Sequence, residues 1–162
     1  MWLDVYQRYR KPLYATALRI VRREQLAEDA VHDAFVKLYA MRGPVAKPKV
    51  YAFTAVRNAA LTILRRQRET PVGEAALLEP ASNSEDPVAI YMENNEQRDQ
   101  LNQAMSELSD LERETILLHV HGELKFREIA EVLHKPQGTV ASSFRRGIEK
   151  LRELMTDNVR QE

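Results

Sequence analysis

The stretch REIAEVLHKPQGTVASSFRRGIEKL, residues 127–151, restricts the fold more than any other. Apolar residues recur at helical spacing up to Leu133, Pro136 interrupts them, and a second helical pattern restarts with small polar residues and the pair Arg145-Arg146. Proline has no N–H to extend the first helix, but its fixed φ suits the start of the next. At about 100° per residue, Val140, Phe144, Gly147, Ile148, Leu151 and Met155 fall on one face of the second helix. Ser142, Arg145, Arg146 and Glu149 fall on the opposite face. The chain therefore commits to a tight corner between two helices, with a basic face left outside.

The spacing from Ala130, small enough for close helix approach, to Val140, an apolar anchor, resembles the helix-turn-helix. In that motif the second helix enters the DNA major groove. His134 stands where such motifs usually carry glycine in a left-handed conformation, which histidine tolerates better than most residues. On this reading Thr139 and the helix N-terminal N–H groups meet phosphate, Ser142 and Arg146 reach bases, and Arg145 borders the backbone. Upstream, Ser109 precedes Glu112 by three residues, the capping-box spacing that opens a helix.

Period-two alternation is hard to find along the chain, and Gly43-Pro44 is its one strong turn dipeptide. The fold class expected is all-α. Helices are predicted from about Leu3 to Arg22, Leu26 to Met41, Lys49 to Arg68, Gln97 to Glu107, Asp110 to Val120, Phe126 to Leu133, and Gly138 to Met155. Pro12 is expected to kink the first or move its start. Net charge is zero over 162 residues, yet the charge is segregated. Residues 1–68 carry 14 Lys and Arg against 5 Asp and Glu, residues 69–100 carry 1 against 8, and residues 101–162 carry 9 against 11. The middle segment also holds three prolines and lacks a sustained apolar stripe until its end, so it reads as an acidic linker. Two small helical domains, 1–68 and 101–162, joined by a linker over 69–100, is the organisation expected.

No apolar run approaches the ~20 residues of a membrane span, the N-terminus has no apolar signal core, and cysteine is absent. A cytoplasmic protein without disulfides or thiolate metal sites is expected, with no membrane association. An enzyme reading starts from Asp29-x-x-His32 and Glu131-x-x-His134, which copy a spacing used in di-metal helical bundles. It fails because His32 lies on an outer face and His134 in a turn. His119 and His121, two apart, point in different directions and read as surface residues. No catalytic residue, metal or cofactor is expected.

The second helix packs Ala27, Val31, Ala34, Phe35 and Leu38 on one side and gathers Glu28, Asp29, His32, Asp33 and Val36 on the other. A basic domain that collects its acids on one helix face suggests a partner surface. The third helix has an inner stripe of Ala52, Phe53, Val56, Ala59, Ala60 and Ile63. Its far side carries Tyr51, Thr54, Arg57, Asn58, Leu61, Arg65 and Arg68, a mixture able to stack unpaired bases, read their edges and hold phosphates.

The blocks AEDAVHDAFVKLYA, VYAFTAVRNAALTILRRQR and LSDLERETILLHVHGELKFREIAEVLHKPQGTVASSFRRGIEKLREL, in that order, resemble the extracytoplasmic-function group of bacterial RNA polymerase sigma factors. The resemblance covers nearly the whole chain: region 2, a variable linker and region 4. It implies promoter recognition together with core RNA polymerase, through the beta-prime coiled coil and the beta flap. Asp29, His32 and Asp33 match the polymerase-binding helix, and Val36 shares their face. Arg57 and Asn58 match the segment that engages the opened minus-ten element, flanked by Tyr51 and Thr54, with Arg65 and Arg66 on the backbone. Thr139, Ser142, Arg145 and Arg146 match the minus-thirty-five recognition helix. An anti-sigma protein is a candidate partner. The chain departs from the family pattern at His32, Tyr51-Ala52, Ala55, Thr62 and Ala141, positions that bear on sequence preference more than on fold. A free-standing helix-turn-helix regulator and a decoy for an anti-sigma protein are the competing readings, and the basic face of the third helix argues against both.

Overall fold

The structure, a computed structural model, describes residues 1–69 and 86–160. Among these residues every regular element is helical and no strand occurs. The chain divides into two compact units, Met1–Ser84 and Glu85–Glu162.

The first unit packs α1 (Trp2–Val21), α2 (Glu24–Ala40) and α3 (Pro48–Glu69) pairwise against one another. Ala15, Ala17, Ala27, Ala30, Ala52 and Ala60 are wholly buried, and such small side chains let the backbones approach. Leu13, Leu38, Phe53 and Val56 fill the remaining core, each large apolar side chain contributing about 1.5–3 kcal/mol on burial. Tyr9 meets the Phe53 ring edge-on at 6.3 Å. Pro12 does not move the start of α1; the helix runs through it. Its ring is buried, and the Thr16 hydroxyl donates to the Pro12 carbonyl at 2.8 Å. Packing therefore maintains a helix that the missing N–H weakens by one bond. Arg22, at φ 60°, ends α1 by donating its N–H to the Leu18 carbonyl, so α2 can begin at Glu24.

The second unit contains a 3₁₀ turn (Pro87–Tyr91), α4 (Asn95–Ser106), α5 (Asp110–Ile116), a π turn (Leu117–His121), α6 (Phe126–Leu133) and α7 (Gln137–Arg160). Its folded chain starts well before residue 101. Asp86 accepts the Val88 N–H and donates its own N–H to Asn102 Oδ1 at 2.7 Å, Arg98 Nε donates to the Ala89 carbonyl, and Val88 and Ala89 are buried. Residues 86–100, read from the sequence as linker, thus contribute to this unit; the buried run Pro87-Val88-Ala89 is too short to register as an apolar stripe. The rest of the expected linker, residues 70–85, lies outside the described residues.

The capping box at Ser109 and Glu112 forms in both directions, at 3.1 and 3.2 Å. The helix it opens does not stay α to Val120 as predicted. It loosens into the π turn after Ile116, and the Gly122 N–H returns to the Leu117 carbonyl. A side chain at Gly122 would place its Cβ 2.6 Å from the Leu118 carbonyl oxygen, so the exit from this turn requires glycine. Gly147 has a different role: an ideal Cβ there would lie 2.9 Å from Ile116 Cδ1 and 3.3 Å from Glu112 Cβ, which records how closely α7 rides on α5.

Candidate nucleic-acid and polymerase interfaces

The sequence places Asp29, His32, Asp33 and Val36 on one face of α2, and all four are exposed there, Val36 by 54%. The opposite face, Ala27, Ala30, Val31, Ala34, Phe35 and Leu38, is buried against α1 and α3.

On α3, Tyr51 is 47% exposed and its ring lies 6.4 Å from that of Trp2, which is buried. The tyrosine is therefore a backed aromatic platform. Thr54 is half-buried and donates its hydroxyl to the Val50 carbonyl at 2.9 Å, leaving only its oxygen lone pairs for a ligand. Arg57 is half-buried, while Asn58, Arg65 and Arg66 are exposed. The structure divides these residues in a way the sequence did not. A groove of about 600 Å³ runs between α2 and α3, lined by His32, Asp33, Val36 and Lys37 on one side and by Asn58, Thr62 and Arg66 on the other. Asn58 and Arg66 thus share a surface with the α2 face, whereas Tyr51, Thr54, Arg57 and Arg65 do not line it.

In the second unit the predicted corner forms between α6 and α7. His134 takes φ 54° and the Lys135 N–H bonds to the Ala130 carbonyl, so histidine does occupy the left-handed position. Val140 is wholly buried, and the Val140 N–H bonds to the Pro136 carbonyl. Thr139 and Ser142 are half-buried, with the Ser142 hydroxyl donating to the Thr139 carbonyl at 3.2 Å. Arg145 and Arg146 are exposed. Ser143, which the helical wheel did not single out, is fully buried and its Oγ accepts a hydrogen bond from Arg146 at 3.3 Å. That bond ties one guanidinium of the pair back to its own helix. Serine three residues before arginine on one helix was the signal available.

Behind the corner, His119 of the π turn stacks on Phe126 at 4.5 Å and meets Phe144 edge-on at 4.7 Å. Its Nδ1 lies 2.8 Å from the Leu124 carbonyl, so Nδ1 carries the proton. Read from the sequence as surface residues, His119 and His121 are both half-buried, and burial lowers the His121 pKa. The longer lever of a π turn aims His119 inward, joining the π turn, α6 and α7.

The sigma-70 region 2 family matches residues 5–70, and the sigma-70 region 4 family matches residues 98–151. The chain is 25% identical to the ECF RNA polymerase sigma factor SigK of Mycobacterium sp. (strain KMS), over 93% of its own length and 81% of that protein. It is equally identical to the ECF RNA polymerase sigma factor SigM of Bacillus subtilis (strain 168), over 98% of both chains. Among solved structures it resembles the sigma factor RpoE in its complex with the anti-sigma factor NepR from Bartonella quintana, with a TM-score of 0.65 at 25% identity over 95% of this chain and 93% of that one. This chain belongs to the ECF sigma factors. The sigma factor is accordingly a transcription initiation factor, not an enzyme, and it acts with core RNA polymerase at promoter DNA. A matched region 2 removes the reading as a free-standing helix-turn-helix regulator. No described helix of this sigma factor is long and apolar enough to cross a membrane.

Proposed function

We propose that this sigma factor divides promoter recognition between its units as its surfaces suggest. Asp29, His32, Asp33 and Val36 dock on core polymerase. Tyr51, Thr54, Arg57, Asn58 and Arg65, with Arg66 at the edge of their face, engage the opened minus-ten element. Thr139, Ser142, Arg145 and Arg146 engage the minus-thirty-five element. Residues 1–68 serve as one recognition domain, and residues 101–162, with residues 86–100 folded onto them, serve as the other. The reading places the protein in the cytoplasm, where its polymerase is, and an anti-sigma protein that covers one of these faces fits the neighbour found in complex with one.

The observation that supports this reading most is the pair of exposed arginines on an α7 whose inner face, Val140, Ser143 and Gly147, is buried. A helix so anchored presents its guanidinium groups rigidly to a groove. Run-off transcription with purified core RNA polymerase and a promoter library tests it. Transcripts should start from a small set of templates sharing two separated elements. A protein that binds core but starts no transcript on any template would instead be a decoy.

A further inference from the structure

The α3 wall of the α2–α3 groove is a stripe of Ala55, Asn58, Ala59, Thr62, Ile63 and Arg66, spaced i, i+3, i+4, i+7, i+8, i+11. This is how a helix presents one face to a neighbouring helix. Yet α2 covers it incompletely: Ala55, Ala59, Thr62 and Ile63 remain only half-buried, and across the groove Val36 is exposed. The rim is bipolar, with Asp33 and, one turn earlier on α2, Asp29 on the acidic side, and Lys37 and Arg66 on the basic side. Nucleic acid fits poorly, because phosphates following the groove would be brought beside Asp33; strand-binding grooves are positive throughout. A protein helix fits better. Its apolar side can cover Val36, Ala59 and Ile63, its basic side chains can face Asp33, and an acidic one can face Lys37 and Arg66.

We propose that one helix of core RNA polymerase lies along this groove, so that Thr62 and Arg66 of α3 are polymerase contacts in one footprint with Asp29, His32, Asp33 and Val36. The inference rests on the reading that the outer face of α2 docks polymerase. It extends that footprint to a second helix and moves Arg66 away from the DNA-facing side, with Asn58 at the boundary of the two. The α2 face alone would be a convex strip; with the stripe of α3 it becomes a concave seat, which a helix can fill.

The test titrates labelled full-length protein with core polymerase. Thr62→Arg, which fills the groove, and Arg66→Glu, which reverses its basic rim, should each weaken binding by about tenfold or more. Arg10→Glu, the same charge change on an exposed residue of α1, should leave affinity unaltered. Circular dichroism confirms that the helices persist, and Arg66 is exposed, so its variant reports even if Thr62→Arg folds poorly. If Asp29→Lys with Asp33→Lys weakens core binding while Thr62→Arg and Arg66→Glu do not, the groove assignment is overturned and the α2 reading stands. If none of them does, both fall. Should Thr62→Arg spare core binding but reduce promoter opening, the occupant is DNA. Should it instead abolish a self-association seen by sedimentation, the occupant is a second copy. Either result also overturns the proposal.

Discussion

Glu123 and His134 adopt φ of 55° and 54°, a left-handed conformation that costs a side-chain-bearing residue about 1–2 kcal/mol. They stand at the two ends of α6, where the chain turns into and out of the helix. Glycine is free of that cost, whereas alanine keeps it and loses whatever the original side chain contributes. At each position the glycine variant should therefore be more stable than the alanine variant by about 1 kcal/mol, measured by urea unfolding of the full chain. The opposite order, normal for a helix interior where alanine exceeds glycine by about the same amount, would show that these residues are not left-handed. The turn at His134 was legible because Pro136 and the missing glycine announced it. Glu123 was not, since neither its residue type nor its neighbours distinguish a left-handed position from an ordinary exposed one.

Among elements, the contact between α5 and α7 depends most on ionisation. Glu112 is buried, and its Oε1 accepts from the Ser109 N–H and, at 2.8 Å, from Lys150 Nζ of α7, while its Oε2 lacks a hydrogen-bond partner among the described residues. Burial alone raises its pKa, but the hydrogen bonds from Lys150 and Ser109 outweigh it, so the carboxyl titrates below its usual value. A folded pKa below the unfolded one means that the folded state holds the proton less tightly. The stability it contributes is full above the unfolded value of about 4.3 and disappears as pH falls through the lower folded value. Glu112→Gln should destabilise the second unit by about 1–3 kcal/mol at neutral pH and flatten the decline of stability on acidification. Thermal unfolding across pH 3 to 7, about the range in which carboxylates titrate, checks both; an unchanged acid limb would assign the effect to other carboxylates. The capping box behind this contact was readable as Ser109-x-x-Glu112, but Lys150 was not, because nothing local links positions 38 apart in sequence. Helix positions were legible throughout from apolar spacing. The π turn was not, since one extra residue in a turn leaves the period nearly intact, and neither was the groove, because the two outward stripes of α3 are rotated only slightly from one another and the packing of α2 alone separates them.

For the molecule as a whole, zero net charge hides a basic segment over residues 1–68 and an acidic one over residues 69–100. If the acidic stretch opposes approach to DNA, the polymerase should supply much of the promoter affinity, so residue roles on α7 are best measured in the holoenzyme. There the two arginines should separate. On the proposed reading Arg146, held by Ser143, makes a bidentate contact with a guanine edge, worth about 1–3 kcal/mol of discrimination. Arg146→Ala should relax sequence preference at particular positions of the minus-thirty-five element and leave the salt dependence of binding nearly unchanged. Arg145 is exposed and lacks that support, which suits a phosphate contact. Arg145→Ala should weaken binding evenly across sequences and flatten the slope of log affinity against log salt by about 0.9, one phosphate's worth. Ser143→Ala supplies the discriminating control: removing the bond while keeping Arg146 should reproduce part of the loss of preference without the change in slope. Competition among a library of minus-thirty-five variants at several salt concentrations reads preference and slope together. Identical, sequence-independent losses for both arginines would mean that α7 grips only the backbone, leaving selection of promoters to the first unit.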